Sequence, residues 1–390
     1  MLNAARVEQL TGLRFFAALG VLLCHFHVLV PYVGAKFLFD LGGHGVTLFF
    51  VLSGFVLTWR HDGPWQGDAG RAAWVSGAPG LDLMAFATAR FARIAPVYWL
   101  ALAMTLLTYL AVGPDVALGP PATNEGGGAV GLILNILALQ AWVPSEHVQQ
   151  FWNAPGWSIS AELFFYACFP WLLRWRWLSG SAGSFALVMA GFSVLLGLYL
   201  WVLQASGHWG ALGLAFAARL PLLGLLPFMV GMLCCRLLRR KPHWRHHAGG
   251  WTLLATALLV ASAWAADVWA LTQAPLVAML LVSNLVYVPL FALLIVCLAL
   301  DNGPLARGLS SPLLVLLGNA SYALYLLHWL PLGVALWWLG PDGSAPLAGV
   351  LAGVAGLVTL SVVVYRWFEA PMRLRLVAAL GRGPNAPQVA

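Results

Sequence analysis

The chain has 390 residues, 61% of them hydrophobic and 8% charged, with a formal net charge of +7. About a quarter of an average soluble domain is charged, so 20 Lys+Arg and 13 Asp+Glu cannot clothe a water-soluble surface of this size. This excludes an ordinary soluble enzyme, a secreted disulfide scaffold and a disordered chain, and the basic residues are too sparse and too interrupted by apolar runs for a nucleic-acid footprint.

A membrane-spanning helix needs roughly 20 mostly apolar residues. Eleven apolar runs follow one another at 13–30, 43–60, 95–112, 129–143, 156–173, 184–203, 216–238, 251–271, 276–300, 313–338 and 346–368. The predicted fold is all-α: a polytopic transmembrane bundle of about ten spanning helices plus one short re-entrant or interfacial segment. That segment is 129–143, a short run between a Pro/Gly stretch at 119–128 and Pro144. Residues 1–375 read as one transmembrane domain and 376–390 as a short cytoplasmic tail. Leu81 to Arg93 is expected to form an interfacial helix with Arg90 and Arg93 on one face. The five cysteines (Cys24, Cys168, Cys234, Cys235, Cys297) fall in or beside apolar segments and read as packing residues.

Basic residues set the orientation of membrane helices, being enriched in cytoplasmic loops. With the N-terminus cytoplasmic and 129–143 not crossing, the cytoplasmic side collects Arg6, Arg14, Arg60, Arg71, Arg90, Arg93, Arg174, Arg176, Arg236, Arg239, Arg240, Lys241, Arg245, Arg307, Arg366, Arg373, Arg375 and Arg382. Only Lys36 and Arg219 are left outside. A crossing at 129–143 would invert every later loop and expose the cluster from Arg236 to Arg245. Both termini and the 61–94 loop are therefore predicted to be cytoplasmic.

Ionisable side chains inside apolar helices are costly and mark function by default. Arg14 and His25 are eleven residues apart, which is about 20° past three full turns and roughly 16 Å along a helix. A guanidinium at the mouth and an imidazole deeper on the same face would suit a long ligand with an anionic head and a reactive tail, the form of coenzyme A. Alternatively Arg14 snorkels to lipid phosphate and His25 bonds a helix backbone. Histidine can take a proton from a hydroxyl at neutral pH, as acyl transfer to an alcohol requires. His27, about 200° round the helix from His25, reads as structural.

In the second run Ser53 and Gly54 read as close-packing residues. His44, near the outer boundary, reads as a solvated histidine that could touch an acceptor. Arg90-x-x-Arg93 offers two forks that match phosphate, whether of a ligand or of lipid headgroups. In Trp157-Ser158-Ile159-Ser160-Ala161-Glu162, Ser158 and Glu162 are i,i+4 on one face. Glu162 is predicted either to pair with a buried cation such as His25 or to be protonated and donate a hydrogen bond. Ser321, Tyr325 and His328 form a polar stripe at helical spacing, suited to chemistry or to a helix–helix contact.

Together these stretches resemble the acyltransferase type 3 family of bacterial membrane proteins. The likeness rests on Arg14 with ten residues before His25; Gly45-Val46 to Phe49-Phe50-Val51-Leu52-Ser53-Gly54; Arg90-x-x-Arg93 with Pro96 and Tyr98; Trp157-Ser158-Ile159 with Glu162; Ser321-Tyr322 with Tyr325 and His328; and Glu369 with Pro371. It runs from about residue 8 to 375. The resemblance implies a ten-helix enzyme that carries an acyl group, usually acetyl, from acyl-CoA to hydroxyls of surface polysaccharides, glycans or antibiotics. On this reading His25 is the catalytic base with Glu162 supporting it. Arg14, Arg90 and Arg93 hold the phosphates of acyl-CoA, and Ser158, Tyr325, His328 and Glu369 are further candidates. The expected partners are acyl-CoA, with acetyl-CoA the expected donor, a glycan or other hydroxyl acceptor and membrane lipids, with no metal and no nucleic acid. The expected location is the bacterial inner membrane. A transporter or flippase for a lipid-linked glycan is the alternative, its path lined by aromatic residues.

Overall fold

The computed structural model describes residues 7–31, 33–34, 36–62, 81–113, 128–175, 177–205, 216, 219–240, 248–268, 283–340 and 343–380. Every regular element among these is helical. Apolar runs of this length satisfy their backbone groups internally, which a lipid environment demands. The chain opens with α1 (Glu8–Phe26), continued by a 3₁₀ turn at His27–Leu29. Then come α2 (Lys36–Gly43), α3 (Gly45–His61), α4 (Leu83–Val112), α5 (Ala129–Ile136), α6 (Glu146–Gln150), α7 (Gly156–Arg174) and α8 (Ala182–Ala205). The second half holds α9 (Pro221–Arg240), α10 (Ala248–Val268), α11 (Val288–Leu300), α12 (Pro304–Leu309), α13 (Pro312–Leu327), α14 (Trp329–Leu339), α15 (Leu347–Val364) and α16 (Ala370–Leu380).

Six helices are long and apolar enough to cross a membrane, and the bent pairs α2–α3 (41°) and α13–α14 (45°) raise this to eight. The expected ten is not reached among the described residues. The reason lies in two segments. Helix α7 has the length, but Ser158, Ser160 and Glu162 lower its mean hydropathy. Helix α11 has 13 residues, and 269–282 of the expected run lie outside the described residues. Helix α5 has eight residues, about 12 Å at the usual rise, so it cannot cross, in keeping with a re-entrant segment. Buried polar groups pin it: Tyr98 donates to the Asn135 carbonyl (2.5 Å), and the Asn135 amide donates to the carbonyls of Gly131 (2.9 Å) and Val148 (3.0 Å).

One expectation is corrected. Arg90 and Arg93 do not sit on a separate interfacial helix. Asp82 caps α4 by accepting from the Ala85 amide (2.9 Å), and the helix runs on through Pro96 to Val112. Helix α16 runs on past 375 to Leu380. Arg6, Arg71, Arg176, Lys241, Arg245 and Arg382, used for the charge count, lie outside the described residues, as does the tail beyond 380.

Helix α3 packs chiefly on α9, and α1 on α13. Glycine sets both crossings. A Cβ on Gly54 would overlap the Phe228 carbonyl, and one on Gly318 would overlap that of Thr11. Gly318 beside Thr11 and His328 beside His25 make α1 and α13 run parallel. At one end of α9, Arg236 reaches the Asp62 carboxylate (Nε–Oδ2 3.1 Å) and the carbonyls of Leu173 (2.7 Å) and Leu178 (2.5 Å). Arg239 bonds the carbonyls of Asp62 and Trp59. At the other end Arg219 contacts Glu146 and Gln149. The two ends are about 27 Å apart by helical rise.

Candidate active site

Four helices converge their cations on one cavity of about 250 Å³. Arg14 comes from α1, Arg60 from the last turn of α3, Arg90 and Arg93 from the early turns of α4, and Arg373 from α16. Ser53 of α3, Ser158, Glu162 and Tyr166 of α7, and Ser321, Tyr322 and Tyr325 of α13 complete the wall. Arg14, Arg90, Arg93, Ser158, Glu162 and Tyr325, the candidates legible in the sequence, all line this space. Arg60 and Arg373 line it too, although in the sequence they stand out only as orienting charges. A signal for Arg373 was present, since it lies four residues after Glu369, one helical turn along the same face.

The cavity is strongly electropositive. Arg90 lies over the rings of Tyr166 (5.7 Å) and Phe86 (5.8 Å), and Arg93 over Tyr322 (5.2 Å). Such contacts hold a guanidinium without neutralising it. The Nε groups of Arg14, Arg90 and Arg373 are buried without a hydrogen-bond partner. A buried donor left unpaired costs roughly 1–3 kcal/mol. Two carboxylates temper the charge. Glu369, fully buried, forms an ion pair with Arg93. Glu162 accepts from the Tyr166 hydroxyl and, at 3.4 Å, from Ser53 Oγ.

On α13 the lining of the cavity stops at Tyr325, with Val46 and Phe49 of α3 facing the same space. The Tyr325 hydroxyl lies 2.8 Å from Ser158 Oγ, and both hydroxyls reach the Pro155 carbonyl, at 3.1 and 2.9 Å. Beyond it is the second feature of the site. His25 Nδ1 is 2.9 Å from His328 Nε2, with the rings stacked at 9° and a centroid separation of 5.2 Å. Trp329 sets its ring at 79° to His25, 5.2 Å away. His328 is fully buried at the bend between α13 and α14. Ser321 and Tyr325 line the cavity, whereas His25 and His328 do not. Tyr325 and His328 are three residues apart, about 4.5 Å along the axis, with ring centroids 6.0 Å apart.

The Arg14–His25 helix thus spans the two features, a cationic cavity and a histidine pair. Of the two readings of Glu162, the contact with His25 does not form: His25 turns to His328, and Glu162 stays with Tyr166 and Ser53. His27 lies against Phe39 (4.5 Å), a packing role. His44 is not simply solvated, since it stacks on Tyr287 (4.1 Å). Among the described residues, no three His, Cys, Asp or Glu side chains are grouped to hold a metal, and the five cysteines are free thiols.

Two curated relatives share this chain's sequence over most of its length. The acyltransferase MdmB of Streptomyces mycarofaciens is 31% identical over 344 residues, 84% of this chain and 79% of that protein. The exopolysaccharide production protein ExoZ of Rhizobium meliloti (strain 1021) is 26% identical over 348 residues, 86% of this chain and 91% of that protein. No solved structure matches the chain significantly. Residues 7–366, which carry every arginine of the cavity but Arg373 and both members of the histidine pair, match the acyltransferase 3 family, described as an acyltransferase domain. The chain belongs to this family, and is a multi-pass membrane acyltransferase.

Proposed function

We propose that this protein moves a short acyl group, acetyl in the first instance, from acyl-CoA to a hydroxyl of a carbohydrate at the bacterial inner membrane. The observation that carries the proposal is the cavity with five arginines, three of them with unpaired Nε groups, one helical turn from the His25–His328 pair. Acyl-CoA combines phosphates at one end with a thioester at the end of a flexible arm, so one ligand answers both features. Arg14, Arg90 and Arg93, joined by Arg60 and Arg373, bind the phosphates. The name of ExoZ supports a saccharide acceptor.

In the transfer step, the acceptor oxygen attacks the thioester carbonyl carbon as its proton passes to His25 Nε2. The C–O bond forms, the C–S bond breaks, and CoA leaves as the thiolate, which takes up a proton. For Nε2 to be the base, Nδ1 must carry the hydrogen and donate it to His328 Nε2, fixing the tautomer. We assign ten spans and cytoplasmic termini to the chain, which gives the arginine cavity access to the cytoplasm, where acyl-CoA is made.

Mass spectrometry of surface glycans from a strain lacking the protein tests the whole reading. One acetyl mass should disappear, and movement of unmodified glycan by purified protein in its place would select a transporter. For the donor site, Arg14→Ala and Arg90→Ala should each weaken acetyl-CoA binding by ~1–3 kcal/mol in calorimetry. Arg14→Lys should recover only part of this, because lysine lacks the fork. Unchanged affinity in both Ala variants would return these arginines to lipid contacts. For orientation, Pro144→Cys, exposed after the re-entrant segment, should react with an impermeant maleimide from outside. Labelling from the cytoplasm alone would sink the topology.

A further inference from the structure

We propose that the Tyr325 ring sets the length of acyl chain this enzyme transfers. The inference rests on the acyl-CoA reading above. Ser321, Tyr325 and His328 follow one another along one face of α13, and along that face the lining of the cavity stops at the second of them. A ligand anchored by its phosphates on the arginines must therefore bring its acyl end to the Tyr325 ring before it can approach His25. That ring is not free to yield at will. Ser158 Oγ and the Pro155 carbonyl hold its hydroxyl, the rings of Phe49 and His328 each stand 6.0 Å from its own, and the residue is 5% exposed.

The space between the Tyr325 ring and the histidine pair is a single helical turn. An acetyl group needs only its carbonyl and one methyl beyond the sulfur. Each further methylene must be accommodated against the ring, and a closed apolar wall discriminates about 10–200-fold per methylene. Ring volume, rather than the hydroxyl, is the discriminating property. Tyr325→Phe keeps the volume, and Tyr325→Leu removes part of it while remaining apolar and helix-compatible.

The experiment is a chain-length profile. Purified wild type, Tyr325→Phe and Tyr325→Leu are assayed with acetyl-, propionyl-, butyryl- and hexanoyl-CoA on a common acceptor, and binding of free CoA is measured on each preparation to establish that the cavity is folded. In wild type and Tyr325→Phe, kcat/KM should fall steeply from acetyl to butyryl. In Tyr325→Leu, the butyryl-to-acetyl ratio should rise by about tenfold or more. A Tyr325→Leu protein that binds CoA yet keeps the wild-type profile, with all donors slowed in parallel, would overturn the assignment. So would a wild type that already uses hexanoyl-CoA as well as acetyl-CoA. Absence of transfer from every acyl-CoA by the wild type would instead refute the donor reading on which this one rests.

Discussion

His25→Ala is expected to lower acyl transfer by ~10²–10⁴, the usual consequence of losing a general base, with donor affinity retained. The separation follows from the geometry, since His25 does not line the cavity where the donor phosphates bind. An alcohol is a poor nucleophile until its proton is removed, and a thioester needs little more than that help and some stabilisation of developing charge. His25→Gln keeps a side chain able to bond His328 but cannot accept the proton, so it should be as inactive as the Ala variant. Initial rates with labelled acetyl-CoA, beside calorimetric CoA binding on the same preparations, separate loss of chemistry from loss of fold. If His25→Ala retains more than about a tenth of the wild-type rate, proton transfer lies elsewhere, and His328 becomes the residue to test.

The elements of the bundle were legible because a helix repeats its pattern every 3.6 residues. Apolar runs marked most helix ends closely, but missed the polar first turns of α4 from Leu83 and the last helical turns out to Leu380, and spacing put Arg14 with His25 and Ser158 with Glu162 on common faces. What spacing cannot carry is the register between helices. The approach of His328 to His25 depends on the parallel packing of α1 and α13 through Gly318 and on the 45° break after Leu327, none of which is periodic. The same blindness left Glu162 between two readings, a buried cation such as His25 or a protonated carboxyl, whereas its hydrogen bonds come from Tyr166, one turn further along the same helix, and from Ser53. Arg236 with Asp62, 174 residues apart, shows the limit most plainly, because no spacing links positions that far apart.

Glu369→Ala is expected to destabilise the protein by ~3–5 kcal/mol, the range for leaving one member of a buried ion pair uncompensated. Arg93 would then face Arg14 and Arg373 across the cavity without its counter-charge, adding like-charge repulsion to desolvation. Thermal unfolding in detergent measures the loss. Replacing the whole pair, as Arg93→Met with Glu369→Leu, should recover most of the stability, because an apolar substitute for a buried ion pair is often neutral or better. Donor binding separates the two possible duties of Arg93. If its guanidinium gives one edge to Glu369 and the other to a phosphate, the double variant should bind CoA about tenfold more weakly despite its restored stability. CoA should also raise the melting temperature of Glu369→Ala by more than it raises that of the wild type, because the bound phosphates supply the charge that the carboxylate no longer provides. Wild-type affinity in the double variant, together with equal CoA shifts in Glu369→Ala and wild type, would make Arg93 a structural cation and leave the phosphates to the other four arginines.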